Sequence, residues 1–364
     1  MFGSKHYVPI LKGKDGEFRA LSKLNPNTLV GFTPFIDVPR RDVDPKTGIP
    51  KLEVEEYLRR KAEKISKNWR KDRPVFVDVF DIDLELETTN GTYFLEYLYS
   101  CLRRCGVQSI PVIGLDRIGE RRYVNAIRKI LSKDKRGLCI RLLEEDIEMP
   151  STSFSDIFDL LTDLKEPIQN VHLLMDFRSI FNKNIRDVAD TAANFLNKVR
   201  TPSEWATITL SASGFPENLG CVSCRSVKAI PRVEWDLRTF LMAKKNIIPR
   251  FPTFSDYAIC HPDLLDYDPR FNPSAAIRYT IDNDWLIVKA GSLKKSGFSQ
   301  FRQLSENLRK RPEFYGAKFS WGDKFIDKCA DNKSGTGNLT TWRQVGTNHH
   351  ITLVVGQIAN SPVI

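Results

Sequence analysis

The residues best suited to chemistry are carboxylates inside apolar, strand-like segments. Asp78 and Asp176 each stand within runs of Val, Leu, Phe and Met. Burying a lone carboxylate is costly, so each must be paired or hydrogen-bonded. Two roles stay open: acid–base or metal chemistry, or one half of a buried salt bridge with a cation such as Lys12 or Arg141.

Five histidines are few enough to consider one at a time. His6 and His172 stand at the starts of predicted strands, where structural roles are usual, whereas His261 follows the end of a predicted strand. His349 and His350 are adjacent, so on a strand their side chains would point to opposite faces. Asp256 with His261 and one of this pair could hold a metal, but no H-x-x-x-H or H-E-x-x-H spacing occurs, so no metal-binding residues are assigned.

The stretch "TTWRQVGTNHH" (340–350) is the densest cluster of recognition-type side chains. Trp342 offers a stacking surface, Arg343 a fork for phosphate or carboxylate, and Asn348 directional hydrogen bonds. This cluster either roofs a polar pocket or attaches the tail to the rest of the fold. The candidate catalytic residues are Asp78, Asp176, His261, His349 and His350. The candidate ligand- or phosphate-binding residues are Lys12, Arg141, Arg178, Asp256, Tyr257, Arg278, Trp321, Asp323, Trp342, Arg343 and Asn348.

The elements that must position these residues alternate between strand-like and helical patterns. Eight apolar, β-rich segments are separated by helical segments over about 250 residues, which indicates parallel pairing. No G-x-G-x-x-G or Walker pattern follows the first strand. The predicted fold is therefore α/β, a (β/α)8 TIM-like barrel over 1–262, whose strand ends would form the working face.

The regular alternation of strand-like and helical segments ends at residue 262. Residues 263–364 are predicted to be an α+β extension that packs on the barrel mouth. "SAAIRYTIDNDWLIVKAG" (274–291) has the pattern of a hairpin, and 298–311 that of a helix. "HITLVVGQIAN" (350–360) is predicted to be a strand followed by a short tail. This segment would then lie as a lid across the open end of the barrel.

Charge and cysteine content limit the environment and the partners. The net charge of +10, from 55 basic and 45 acidic residues, favours acidic or polyanionic partners or simply a solvated helix surface. No run approaches the ~18 apolar residues of a membrane span, and no export signal is recognised. Seven cysteines with one isolated C-x-x-C, "CVSC", point to free thiols in the cytoplasm and only weakly to zinc.

Several motifs together resemble the Beta protein family. They are "YVPILKGKDGEFRAL", "FSDYAICHP", "SAAIRYTIDNDWLIVKAG", "FSWGDKFI" and "GNLTTWRQVGTNHHITLVVGQIAN". The resemblance implies a phage or mobile-element accessory protein, because the family's namesake relieves the toxicity of a partner and related loci are linked to antiphage defence. No reaction carries over from the family, and the cofactor is unknown. One departure is "DYAI", with Ala258 where such families often show "DYGI".

Three functional hypotheses follow. The leading one is an immunity or defence protein that binds a toxin or defence-system partner, a nucleotide or a nucleic acid at the barrel mouth. The alternative is an enzyme acting on phosphate esters or nucleic-acid ends, in which Asp78, Asp176 and His261 act on protons or a metal and Lys12, Arg141 and Arg343 neutralise phosphate. The third is a barrel without activity whose rim became a docking surface for proteins.

Overall fold

Eight parallel strands form the centre of the fold. The computed structural model describes residues 2–263 and 272–361. The strands of the barrel are β1 (Ile10–Leu11), β2 (Phe35–Asp37), β3 (Pro74–Asp78), β4 (Gln108–Gly114), β5 (Leu138–Leu142), β6 (Val171–Ser179), β7 (Thr207–Ser213) and, eighth in the ring, β9 (Thr253–Ser255). A parallel bridge between Tyr7 and Phe254 joins the last strand to the first. The predicted (β/α)8 barrel is confirmed.

Helices surround the barrel because their apolar positions recur at helical spacing. In the fifth helix, for example, Tyr123, Ile127 and Ile130 are buried while the charged positions between them face solvent. The helices of this part are α1 (Asp15–Leu21), α2 (Pro26–Val30), α3 (Val54–Asn68), α4 (Phe94–Arg104), α5 (Arg121–Asp134), α6 (Glu144–Glu148), α7 (Pro150–Leu164), α8 (Ile185–Lys198) and α9 (Val233–Ala243).

Alternation along the strands divides the core into two layers. One set of side chains fills the barrel interior, and it includes Phe35, Phe76 and Leu174. The other set points outward and packs against the helices in a larger apolar layer. Asp37, Asp78 and Asp176 each stand two residues after one of these interior residues, so they continue the interior set at the barrel mouth, by which we mean the end of the barrel where the strands finish.

A second, antiparallel sheet follows the barrel, in the order β10–β11–β8. β10 (Ser274–Thr280) and β11 (Asp284–Ser292) form the predicted hairpin. β8 (Ser226–Pro231) pairs with β11 and so links the first part of the chain to this sheet. The division at residue 262 stays a prediction. Three helices accompany the sheet: α10 (Leu293–Ser296), α11 (Gln300–Arg309) and α12 (Trp321–Ala330).

The last element, α13 (Leu339–Asn360), is one continuous helix of 22 residues. The prediction of a strand over 350–360 is therefore wrong. The side chain of Asn338 accepts a hydrogen bond from Thr341 N at 3.0 Å and so caps the helix. Every residue from Gln344 to Ile351 is buried, so this part of the helix lacks the one-sided apolar pattern by which an amphipathic helix is recognised.

α13 runs along the barrel wall, in the position of the eighth outer helix. Near its start, Arg343 Nη1 lies 3.1 Å from Cys260 Sγ, just beyond the carboxyl end of β9. Near its end, Ala359 O accepts a hydrogen bond from Lys5 Nζ at 3.2 Å, below the start of β1. The helix descends beside the first and last strands, so it does not form the predicted lid across the open end.

Candidate functional site

A network of buried ions occupies the barrel mouth. Arg141, at the end of β5, reaches Asp78 on β3 at 2.8 Å and Asp176 on β6 at 2.6 Å. Lys12 follows β1 and reaches Asp37 on β2 at 2.6 Å. These five side chains are at most 1% exposed. The parallel register explains the convergence, since the strand ends that carry them meet at one end of the barrel.

Further groups complete this mouth network. Arg117 Nη1 lies 2.8 Å from Asp78, and Tyr257 donates its hydroxyl to Asp176 at 2.6 Å. Burial by itself would raise the pKa of Asp78, but Arg117 and Arg141 outweigh it and lower that pKa to about 2. Burial likewise opposes protonation of Lys12, yet the neighbouring carboxylates raise its pKa. Asp78 and Lys12 are therefore held in their charged forms by their partners, whereas burial raises the pKa of Asp37 although Lys12 and Arg141 oppose the shift.

Phe80 and Arg178 lie at the outer side of the mouth network. The guanidinium groups of Arg141 and Arg178 lie 4.6 and 4.7 Å from the centre of the Phe80 ring. Arg178 also pairs with Asp263 and has a left-handed backbone, with φ of 51°. Strained non-glycine residues of this kind concentrate at functional sites.

A second group of buried side chains joins α13 to the barrel. His350 Nε2 lies 2.9 Å from Asp256 Oδ2, and its Nδ1 lies 2.9 Å from Thr280 Oγ1. Asp256 also accepts a hydrogen bond from Tyr7. Burial lowers the pKa of His350 although Asp256 opposes the shift, so the imidazole is held neutral.

The neighbouring imidazole has its own carboxylate on α12. His349 Nδ1 lies 2.8 Å from Asp323 Oδ2, and its ring stacks on Tyr279 with the centroids 4.0 Å apart. Ser320 and Tyr279 also donate to Asp323, at 2.5 and 2.7 Å. Burial would raise the pKa of Asp323, but His349 and the two hydroxyl groups lower it. Both histidines thus connect α13 to its neighbours.

The remaining candidates are distributed around α13. Arg343 and Arg278 lie near Cys260 and Ile259, Asn348 donates to Ala20 O at 3.2 Å, and His261 lies beside Asp263. Trp342 stacks on Phe301 at 4.4 Å, and Trp321 stacks on Phe325 at 5.6 Å. The candidates therefore divide into the mouth network, the contacts of α12 and α13, and His261 beside Asp263, and they do not form one roofed pocket. Their functional roles stay predictions.

Three members of the mouth network were missing from the candidates: Asp37, Asp81 and Arg117. Asp37 is the last residue of β2, and Asp81 lies 2.9 Å from Lys12. Their position at or just after strand ends was the available signal. Asp37 lies beside Asp78 in the register of β2 and β3, a neighbour relationship that the sequence does not display.

The matches with known proteins agree with the motifs. The Beta protein family matches residues 7–356. This chain belongs to the Beta protein family. Protein beta of Enterobacteria phage P4 is 22% identical over 374 residues, covering 96% of this chain and 93% of that protein. Membership of the Beta protein family associates the chain with phages or mobile elements.

Likeness to solved structures is weak. Triosephosphate isomerase from Bartonella henselae is 13% identical, covering 71% of this chain and 94% of that chain, with a TM-score of 0.34. Biosynthetic arginine decarboxylase from Campylobacter jejuni is 12% identical, covering 97% of this chain and 56% of that chain, with a TM-score of 0.38.

The exposed cysteines bear on metal binding, and the length and apolarity of the helices bear on membrane insertion. Cys221 and Cys224 are exposed free thiols, and no third Cys, His, Asp or Glu joins them in a metal-binding group within the described residues. Over the same residues, no helix combines the length and apolarity that crossing a bilayer requires.

The alanine that departs from the "DYGI" pattern has an unfavourable backbone. Ala258 has φ of 51°, a left-handed conformation that glycine adopts without the steric cost of a Cβ. We expect Ala258→Gly to raise the free energy of unfolding by about 1 kcal/mol in urea titrations. Ala243→Gly, at the end of α9, is the matched control and is expected to lower it. An unchanged or lower stability for Ala258→Gly would contradict this account.

Proposed function

We propose that this Beta protein family member is a cytoplasmic immunity or antiphage-defence protein that binds a basic partner protein at the barrel mouth. The observation that carries the proposal is the rim around the mouth network. The connections that follow β2 to β5 (38–53, 79–93, 115–120 and 143–149) contain 13 acidic and 5 basic residues. This acidic rim on a chain of net charge +10 favours a positively charged protein surface over a nucleic acid or a nucleotide.

The connection 38–53 offers apolar contact and contains 3 acidic and 4 basic residues, while the other three connections supply the acidic excess, with 10 acidic residues and 1 basic residue. Val43 is 48% exposed and Ile49 is 64% exposed in the connection between β2 and α3. Beside them lies a cleft of about 150 Å³, lined by Pro50, Tyr57 and Leu86 among others. An apolar centre surrounded by charges is the usual organisation of a protein interface.

The enzyme alternative receives less support from the geometry. Asp78 is engaged by Arg141 and Arg117, and Asp176 by Arg141 and Tyr257. A general acid or base must reach a proton of the substrate, and a nucleophile or metal ligand must have a free lone pair. Substrate would first have to break these buried ion pairs.

The test uses Val43→Ser with Ile49→Ser. The protein encoded by the adjacent reading frame is co-expressed, and its retention on the tagged chain and the growth of the cells are measured. We expect the double variant to lose at least tenfold in affinity for that protein, because apolar anchors dominate interfaces. Val30→Ser with Ile247→Ser is the matched control, since these side chains, 67% and 57% exposed, lie at the opposite end of the barrel. Equal binding by both double variants would overturn the proposal.

A further inference from the structure

Positive charge is concentrated at the end of the barrel opposite the mouth. We define the base face as residues 2–6 and the seven connections from helices back to strands: 22–34, 67–73, 103–107, 133–137, 165–170, 198–206 and 244–252. These segments contain 17 basic and 4 acidic residues, whereas the whole chain has a net charge of +10. The net charge of the base face, 17 basic minus 4 acidic residues, is therefore +13 and exceeds the net charge of +10 of the whole chain.

Helix ends explain only part of this charge. The outer helices finish at the base face, and each helix C-terminus carries about half a negative elementary charge. Eight such ends correspond to roughly four negative charges, which is far below the positive excess of the base face. Neutralising the helix dipoles therefore does not require so many lysines and arginines.

Most of the basic side chains are available to a ligand. Fourteen of the 17 are exposed. Among the residues that the structure describes, eleven of these exposed side chains form no ion pair: Lys5, Lys23, Lys67, Lys71, Arg104, Lys133, Lys135, Lys165, Lys198, Arg200 and Lys245. They come from every connection of the base face and so surround the barrel axis.

Two of these lysines occupy positions where the backbone favours glycine. Lys135 ends α5 with φ of 50°, and Lys165 ends α7 with φ of 56°. Helices commonly finish at such a left-handed residue, and it is usually glycine because a side chain adds strain of about 1 kcal/mol. Both positions keep a long cationic side chain at a cost to the stability of the fold.

We propose that the base face binds the phosphate backbone of double-stranded nucleic acid without reading its sequence. Lysine is a point charge suited to phosphate contact, and a ring of lysines over a broad surface provides many contacts of equal kind. Single strands require aromatic side chains on which bases stack. None of the Trp, Tyr or Phe side chains of the base face is exposed: Phe32, Trp69 and Trp205 are buried, and Phe2 and Phe251 are half-buried. This inference is independent of the partner proposed for the mouth.

The test removes two positive charges from the base face and at the same time relieves backbone strain at the same two positions. Lys135→Gly with Lys165→Gly is compared with Lys324→Ala and Lys328→Ala, which remove two exposed lysines from α12. Binding to a fluorescent 30-base-pair duplex of arbitrary sequence is measured between 50 and 200 mM salt. We expect the first variant to melt higher than the parent chain yet to bind on the order of tenfold more weakly, with a salt slope smaller by about 2. The α12 variant is expected to bind almost as well as the parent.

Three results would overturn the proposal. Equal weakening by both variants would mean that net charge alone attracts the duplex. Tighter binding to a single strand of the same length would exclude backbone contact of the proposed kind. Binding to vesicles with 30% phosphatidylserine but not to the duplex would make the base face a membrane-contacting surface.

Discussion

Replacing Arg141 by methionine is expected to remove most of the protein's stability at neutral pH. Arg141 is 1% exposed, and its guanidinium contacts both Asp78 and Asp176, with Asp37 at 3.7 Å. Methionine fills similar space but leaves these carboxylates without their shared cation. Removing one member of a buried ion pair costs about 3–5 kcal/mol, and here one residue serves several partners. Urea unfolding at pH 7 measures the loss.

The pH dependence distinguishes lost charge from lost packing. Without Arg141, burial is expected to raise the pKa of the uncompensated carboxyls above the value of about 3.9 in the unfolded chain. The folded state then binds more protons, so the free energy of unfolding rises as the pH falls through the folded pKa towards that value. We expect partial recovery at pH 5 in the variant.

Arg178→Met is the matched control for the Arg141 variant. Arg178 lies at the solvent side of the mouth network, where its side chain is 23% exposed, and it pairs with the exposed Asp263. Its loss is expected to cost about 1 kcal/mol or less. If Arg141→Met were no more harmful than this control, the carboxylates would not depend on Arg141.

Gly346→Ala is expected to separate α13 from the second sheet. A Cβ at Gly346 would lie 2.8 Å from Arg278 O on β10 and 2.7 Å from Ile259 Cδ1. The carbonyl belongs to a paired strand and cannot turn aside, so the helix must shift and loosen the contacts of His349 and His350. We expect a loss of about 1–3 kcal/mol. Thermal unfolding followed by near-ultraviolet circular dichroism reports both the stability and the aromatic packing.

The same helix contains its own control. A Cβ at Gly356 would meet nothing within 4 Å. Gly356→Ala is therefore expected to stabilise the protein by about 0.5–1 kcal/mol through helix propensity alone. If both substitutions changed the free energy of unfolding in the same direction, the close contact of Gly346 with Arg278 O would not explain the effect of Gly346→Ala.

The barrel could be predicted from the sequence because its signals are local. Each strand is a short apolar run, each is followed by an amphipathic helix, and eight repeats suggest closure. Asp78, Asp176 and Arg141 were found for the same reason, although Asp37, Asp81 and Arg117 at other strand ends were missed. Which cation faces which carboxylate was not available, because Arg141 and Asp78 lie on strands separated by β4 and their contact depends on the stagger of the closed barrel.

Two elements were missed for opposite reasons. β8 has mostly exposed side chains and becomes a strand only because β11 supplies hydrogen bonds. α13 is buried around much of its circumference, so its β-branched residues suggested a strand. Its partners lie in α1, α12, β10 and the barrel wall, and none of these contacts is local in sequence. For the same reason, the carboxylate partners of His349 and His350 could not be assigned.

The order of elements along the chain has a consequence for biosynthesis. The eighth barrel strand leaves the ribosome long before α13, because the second sheet and its helices are made in between. Until α13 emerges, Tyr7 at the seam between the first and last strands lacks the contact of its hydroxyl with His350 Nε2, at 3.2 Å. The nascent barrel therefore exposes apolar surface at this seam until its last outer helix has been synthesised. A ribosome that stalls or terminates early would release a chain that chaperones bind.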